Sequence, residues 1–318
     1  MESTELMLSR DHEGRKKVNQ YTMFETVGQG SYGKVKRCID QVTGEVYAAK
    51  IIRKSVLKRK RVGRFGTALD SVQKEMAIWK KLDHDNVVHL REIIDDPSKD
   101  KLYLVSEFVE GGPIMPDTKE HPPMTSDLAK HLFCQLVNAL GYLHFQKIIH
   151  RDVKPGNLLI TRDGLLKVAD FGVSYMYDGE DDTVKSTAGT AAFLAPELVS
   201  GSGGAGSMVD IWASGVTLYM MLVGRPPFMA DTLPDIYEAI KSEPLRFPDG
   251  LDPSAADLLR KMLAKDPEAR LGVPAIKQHP WVRGTAGGPS PFSPLPELRL
   301  VATPRELDAA ITKLATLK

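Results

Sequence analysis

Residues 148–172 read IIHRDVKPGNLLITRDGLLKVADFG, and no other stretch constrains fold and chemistry as tightly. Asp152 falls in a tight polar loop, two positions before Lys154 and five before Asn157. A carboxylate placed there can accept a proton from a hydroxyl, and the nearby ammonium can hold a phosphate in transfer. The amide oxygen of Asn157 and the carboxylate of Asp170 are hard oxygen ligands suited to Mg²⁺. Between them, LLI, the turn TRDG and LLKVA read as a short β-hairpin, which would bring Asn157 and Asp170 back together.

An HRD motif followed by Asn and then DFG at this spacing resembles the protein kinases. The resemblance covers Tyr21 to Val282 and implies an α+β, two-lobed fold. The N-lobe, about 21–108, is expected to be a small antiparallel sheet with one regulatory helix. The C-lobe, about 109–282, is expected to be larger and mainly helical. ATP and Mg²⁺ are the implied cofactors, with Asp152 and Lys154 catalytic and Asn157 and Asp170 on the metal. Lys154 two residues after Asp152 matches the serine/threonine pattern.

The preceding half supplies the parts that such chemistry needs. From Tyr21 two strand-like segments flank Gly28, Gly30 and Gly33, where glycines let backbone N–H groups lie close over phosphates. The turn leads to Val35 and another strand, not a helix, which argues against a dinucleotide fold. The next strand, YAAK, provides Lys50 as a phosphate-binding lysine. By resemblance Glu75, on the helix DSVQKEMAIWKKLDH, pairs with Lys50. The resemblance also places adenine against the backbones of Glu107 and Val109, between Val27, Val35, Ala48 and Leu159. Ser106 then controls access behind the adenine, and it is smaller than the usual residue there.

In the second half, Ser126 is the expected cap of a helix that ends at His144 and repeats Leu128, Leu132, Leu136, Leu140 and Leu143. Val173 to Ala195 reads as an irregular activation loop. Thr187 is its best phosphosite, with Arg151 as the cation, and by resemblance Thr190 helps dock the substrate hydroxyl. By the same resemblance Asp210 braces the HRD backbone, and Glu197 pairs with Arg270.

Finer matches lie in IIDDP (Ile93–Pro97), Gly-Pro-Ile after the hinge, IIHRDVKPGNLLI and IKQHPWV. Together with the basic run Arg53–Gly66 they resemble the calcium/calmodulin-dependent protein kinase kinases and the plant and fungal kinases that activate SNF1-type, AMP-activated kinases. The implied substrate is a protein, another kinase. A general peptide-directed kinase of the calmodulin-dependent group is the alternative, and a weakly catalytic scaffold a more distant one. The basic run is either a solvated loop or a dock for an acidic surface.

Residues 1–20 read as a flexible polar leader, and 283–318 as a Gly/Pro/Ser-rich linker before a short amphipathic helix with a capping box at Thr303–Glu306. That helix has few basic residues, so calmodulin is not an expected partner. Net charge is +1, which supplies no global field for nucleic acid or membrane. No run is expected to span a membrane. With two cysteines, Cys38 and Cys134, there is no disulfide framework and a reducing compartment is expected. A monomer of the cytoplasm or nucleus is expected.

Overall fold

The computed structural model describes residues 2–30, 33–59, 61–62, 66–67, 72, 76–77, 79–115, 120–172, 174–177, 181–184, 187, 189–283 and 292. Glu75 and the C-terminal helix expected after Thr303 lie outside these residues. The chain divides into two compact units: one runs up to Asp83 and includes Val88–Val109, and the other holds His84–Val87 and the described residues from Glu110 on.

The first unit is built on one eight-stranded sheet. Its strands are β1 (Glu2–Ser3), β2 (Leu8–Arg10), β3 (Lys16–Val18), β4 (Tyr21–Gly30), β5 (Gly33–Asp40) and β6 (Val46–Arg53). A short helix (Lys54–Arg59) and a two-stranded pair, β7 (Arg61–Val62) with β8 (Gly66–Thr67), follow. The sheet is completed by β9 (Leu90–Asp95) and β10 (Lys101–Glu107), in the order β1-β9-β10-β6-β5-β4-β3-β2. Every pairing is antiparallel except β1 with β9. Strand β10, KLYLVSE, is buried along its middle five residues, as a central strand must be.

The leader departs from expectation. Residues 2–20 are not a flexible tail but three strands of the sheet. Leu6 and Val18 are 8% and 0% exposed and join Tyr21, Met23, Cys38, Tyr47, Tyr103 and Val105 in a core on one sheet face. The leader's polar groups are satisfied locally: Asn19, at φ +50, accepts from Met7 N, and Arg15 Nε donates to Asp11 at 2.7 Å. Charge density alone suggested disorder, but two apolar side chains landing on an open sheet face outweigh it.

Two helices organise the second unit. Ser126–Phe145 is capped by Thr125, not Ser126 as expected: the Thr125 hydroxyl accepts from Leu128 N at 3.3 Å. Met124 N bonds Met221 O and keeps the chain extended up to that point, so the first helical turn starts one residue earlier than the hydroxyl pair suggests. Leu132, Leu136, Leu140 and Leu143 are buried, while Leu128 in the first turn is 44% exposed. Gly206–Val223 has the length and apolarity to cross a membrane, contrary to expectation, but 78% of it is buried within the fold. Gly224 ends it at φ +86, where a side chain would strike His121 O.

Candidate active site

The hairpin expected in the 148–172 stretch forms, with Leu158–Ile160 antiparallel to Leu166–Val168. Its pairing sets Leu158 opposite Val168, and Ala169 N donates to Asn157 O at 2.8 Å, so Asn157 and Asp170 flank the same end. Asp170 sits at φ +61 and Arg151 at φ +67, left-handed conformations that non-glycine residues adopt only under local constraint.

Asp152 is held by a closed network. Its Oδ1 accepts from Thr190 Oγ1 at 2.8 Å, and its Oδ2 accepts from Asn157 Nδ2 at 2.9 Å and lies 3.0 Å from Lys154 Nζ. Lys154 Nζ also donates to Thr190 Oγ1 at 2.6 Å, so this hydroxyl bonds both members of the ion pair. Because Asn157 spends its amide N–H₂ on Asp152, its amide oxygen is the end left for a cation. Asn157 and Asp170 thus offer the oxygen chemistry that Mg²⁺ takes. Gly189 makes the close approach of this loop possible: at φ +131, a Cβ would stand 2.8 Å from Arg151 O.

Behind the loop stands Asp210, fully buried in Gly206–Val223. Its carboxylate accepts from His150 N at 2.9 Å, Arg151 N at 2.8 Å and His144 Nε2 at 2.9 Å. His150 is also fully buried, with Nε2 facing Ala169 O at 3.1 Å and Nδ1 receiving Asp152 N–H at 3.3 Å. Both bonds are satisfied by one tautomer, with the proton on Nε2. The ring meets Phe171 edge-on at 5.2 Å. His150 therefore ties the HRD loop to the DFG segment. Glu197 and Arg270 form a buried bidentate pair at 2.9 and 3.0 Å, and Arg270 also bonds Met208 O and Ala264 O.

The first unit carries the other expected site residues. Val35 pairs with Lys50 across β5 and β6, which puts both on one sheet face, and Lys50 is buried. Ser106 lies opposite Ala48 on β10 and β6, two small residues side by side. Glu107 N donates to His89 O, while its side chain accepts from His89 N at 2.6 Å. Val109 is buried, whereas Val27 is exposed beside Gly28. A Cβ at Gly33 would fall 1.9 Å from Ile51 O, so glycine there serves strand packing as well as the turn. Gly30 pairs with Gly33 at the tip. Leu159, which belongs to the second unit, is bridged to Pro113.

Residues 21–282 match the protein kinase domain family. The chain belongs to the protein kinases. This kinase is 42% identical over 288 residues to serine/threonine-protein kinase GRIK2 of Arabidopsis thaliana, covering 90% of this chain and 71% of that one. It is 40% identical to GRIK1 of the same plant, covering 92% and 74%, and 40% identical to the calcium/calmodulin-dependent protein kinase kinase of Caenorhabditis elegans, covering 87% and 54%. It is a serine/threonine kinase with the two-lobed kinase fold, and ATP is the phosphoryl donor of its family.

Some structural members of the kinase escape sequence reasoning. Lys54, at the head of the basic run, is buried and donates to Asp95 at 2.8 Å and Asp96 O at 2.7 Å. A run of cations gives no sign that its second member is an internal strut. His150 precedes the motif residues that draw attention, and its role is visible only from the two bonds its ring makes. The expected partner of Lys50, Glu75, is outside the described residues. Thr187, the expected phosphosite, is exposed.

Proposed function

We propose that this kinase acts on another kinase, phosphorylating the activation-loop threonine of an SNF1-type or calmodulin-dependent enzyme. The supporting observation is what stands at three positions where basic-directed kinases carry carboxylates: Pro113, Gly156 and Met220. Met220 is buried and Pro113 is engaged in the bridge to Leu159. An upstream arginine in a peptide therefore gains little there, since exposed ion pairs farther off contribute only about 0–1 kcal/mol. The likeness to a protein whose name makes it a kinase of a kinase supports the same reading.

Within this reading Asp152 orients the substrate hydroxyl and accepts its proton, and Lys154 stabilises the phosphoryl group in flight. Lys50, with Glu75, steadies the α- and β-phosphates. Asn157 and Asp170 hold Mg²⁺, which offsets phosphate charge when bound. Thr187 is the regulatory phosphosite. With Arg151 as its one assigned cation, Thr187→Ala is expected to keep substantial activity, and a loss beyond about 100-fold would contradict this. The substrate is protein, without nucleic acid, membrane or calmodulin, and the kinase works as a monomer in the cytoplasm or nucleus. Burial pushes the thiols of Cys38 and Cys134 up to about 12 and 11, in keeping with inert packing cysteines there.

The test compares kcat/KM for short arginine-bearing peptides and for an intact kinase domain of the AMP-activated class. The intact domain is expected to win by orders of magnitude, with Asp152→Asn inactive on both. Arginine peptides matching the intact domain would replace this reading with that of a general peptide kinase.

A further inference from the structure

The sheet face on which Leu6 and Val18 pack continues beyond that core to Ile51. Register sets Lys34 opposite Ile51, Lys36 opposite Ala49, and both Arg53 and Ile51 beside Lys101 and Tyr103. Since side chains alternate along a strand, this face is opposite the one that carries Val35 and Lys50. The strand Lys16–Val18 adds Lys16 along one side, and a groove of about 510 Å³ opens between these elements.

Charge in the groove is one-sided. Lys16, Lys34, Lys36, Arg53 and Lys101 line it, and among the described residues no carboxylate does. None of the five makes an ion pair among the described residues. Lys16 donates to the Tyr103 hydroxyl at 2.7 Å and Lys36 to Phe24 O at 2.8 Å, both neutral acceptors. Asp100, beside Arg53 and Lys54, is committed to Ser55 through both oxygens, at 2.7 and 2.9 Å. Burial lowers the pKa of Lys16, so that ammonium is partly desolvated without an anion to compensate. The whole chain carries a formal charge of only +1, so this concentration is local.

The floor is apolar. Met23 is buried, Ile51 is half-buried, and Val56 at the rim is 52% exposed. We propose that this groove docks an acidic peptide segment with an apolar anchor, belonging to a protein partner of the kinase. The carboxylates would pair with Lys34, Arg53 and Lys101 at the rim while the anchor covers Ile51 and Val56. A concave site of this width does not fit a flat bilayer. Among the described residues its lining also lacks the aromatic side chains on which single-stranded bases stack. Of the basic run Arg53–Gly66, Arg53 and Val56 take part together with cations from three other strands, and Lys54 turns inward to Asp95. The proposal stands apart from the identity of the kinase's substrate.

The test follows a fluorescein-labelled peptide of Asp and Glu around a central Leu-Phe pair, by anisotropy with the full chain. Its comparators are the same peptide with Asn and Gln, phosphatidylserine vesicles and a single-stranded oligonucleotide. Lys34→Glu/Arg53→Glu reverses two exposed groove cations, and Arg162→Glu/Arg246→Glu changes net charge equally in the other unit. The groove pair is expected to weaken the acidic peptide by at least about tenfold and the control pair by less than about threefold. Val56→Asp should weaken it too, the amide peptide should bind poorly, and phosphorylation of a short peptide should stay unchanged in every variant. Equal losses in both pairs would reduce the attraction to net charge and overturn the proposal. So would absent peptide binding, or vesicles or oligonucleotide being the probe that the groove pair releases. If the reversed pair lowers the unfolding temperature, Lys34→Gln/Arg53→Gln replaces it, with the same direction required.

Discussion

Thr190 Oγ1 stands 2.8 Å from Asp152 Oδ1 and 2.6 Å from Lys154 Nζ, donating to the first and accepting from the second. One hydroxyl thus fixes the spacing of the two charged groups on which transfer depends. A hydrogen bond to a charged group contributes about 1.5–3 kcal/mol. Lost from the transition state, that is about 10- to 150-fold in rate. Thr190→Val should lower kcat by this factor with little change in unfolding temperature, and Thr190→Ser should recover most of it. Full activity in the valine variant would show that Asp152 and Lys154 position themselves without help.

Glu197 and Arg270 are a structural pair, and the expected effect is on stability. Glu197→Gln leaves the Arg270 guanidinium buried without its counter-charge, which costs about 3–5 kcal/mol. For a chain of this size, the Tm should fall by at least about 6 °C. The exposed pair Lys241–Glu238 is the comparison: Glu238→Gln should change stability by less than about 1 kcal/mol. Thermal unfolding of the two variants side by side decides the matter.

Much of the second unit's site could be read from sequence because its determinants are close together in the chain. Two short apolar runs, Leu158–Ile160 and Leu165–Ala169, on either side of the polar turn TRDG point to a hairpin, and the hairpin fixes where Asn157 and Asp170 end up. Long-range partners are another matter. Nothing in local pattern links Glu197 to Arg270, or Asp210 to His150 and Arg151; those pairings were accessible through resemblance. The buried pair Lys54–Asp95 and the docking of Leu6 and Val18 were accessible through neither. Each depends on a sheet face that exists only after distant strands have paired. Thr125 as the cap was missed for a smaller reason, a backbone bond from Met124 that fixes which of two adjacent hydroxyls sits at the turn.

Ser106 and Ala48 face each other across β10 and β6, and Ser106 is buried. Two small side chains in register leave space that a larger residue would fill. ATP-competitive inhibitors with bulky aromatic extensions should therefore bind the natural kinase, and Ser106→Met should weaken them by at least about tenfold, or about 1.4 kcal/mol. The KM for ATP should change far less. Equal losses for ATP and inhibitor would mean that the space is not used.

Lys265 gives the kinase a pH signature. Its ammonium lies 3.6 Å from the Phe228 ring centroid and donates to Ile240 O, while burial drops its pKa from 10.5 to about 8 against the pull of Glu243. Between about 8 and 10.5 the unfolded chain keeps this proton and the folded chain releases it. Stability from this group therefore rises with pH through that window, and the cost of burying the cation is present in full below it. The Tm difference between the natural kinase and Lys265→Met should shift in favour of lysine as pH climbs from 7 to 10. A flat difference would mean that the cation is retained throughout, held by the aromatic ring.

The three strands that residues 2–18 add to the sheet also bear on how the catalytic domain can be trimmed. Family resemblance starts at Tyr21, and a gene trimmed to that point would look complete by motif. It would nonetheless remove Leu6 and Val18 from over Cys38 and Tyr103 and lay bare the outer edges of β4 and β9. Open edges beside uncovered apolar surface invite self-association. A chain cut at Tyr21 is therefore expected to keep every catalytic motif and to self-associate where the full chain does not, which size-exclusion chromatography of the two checks.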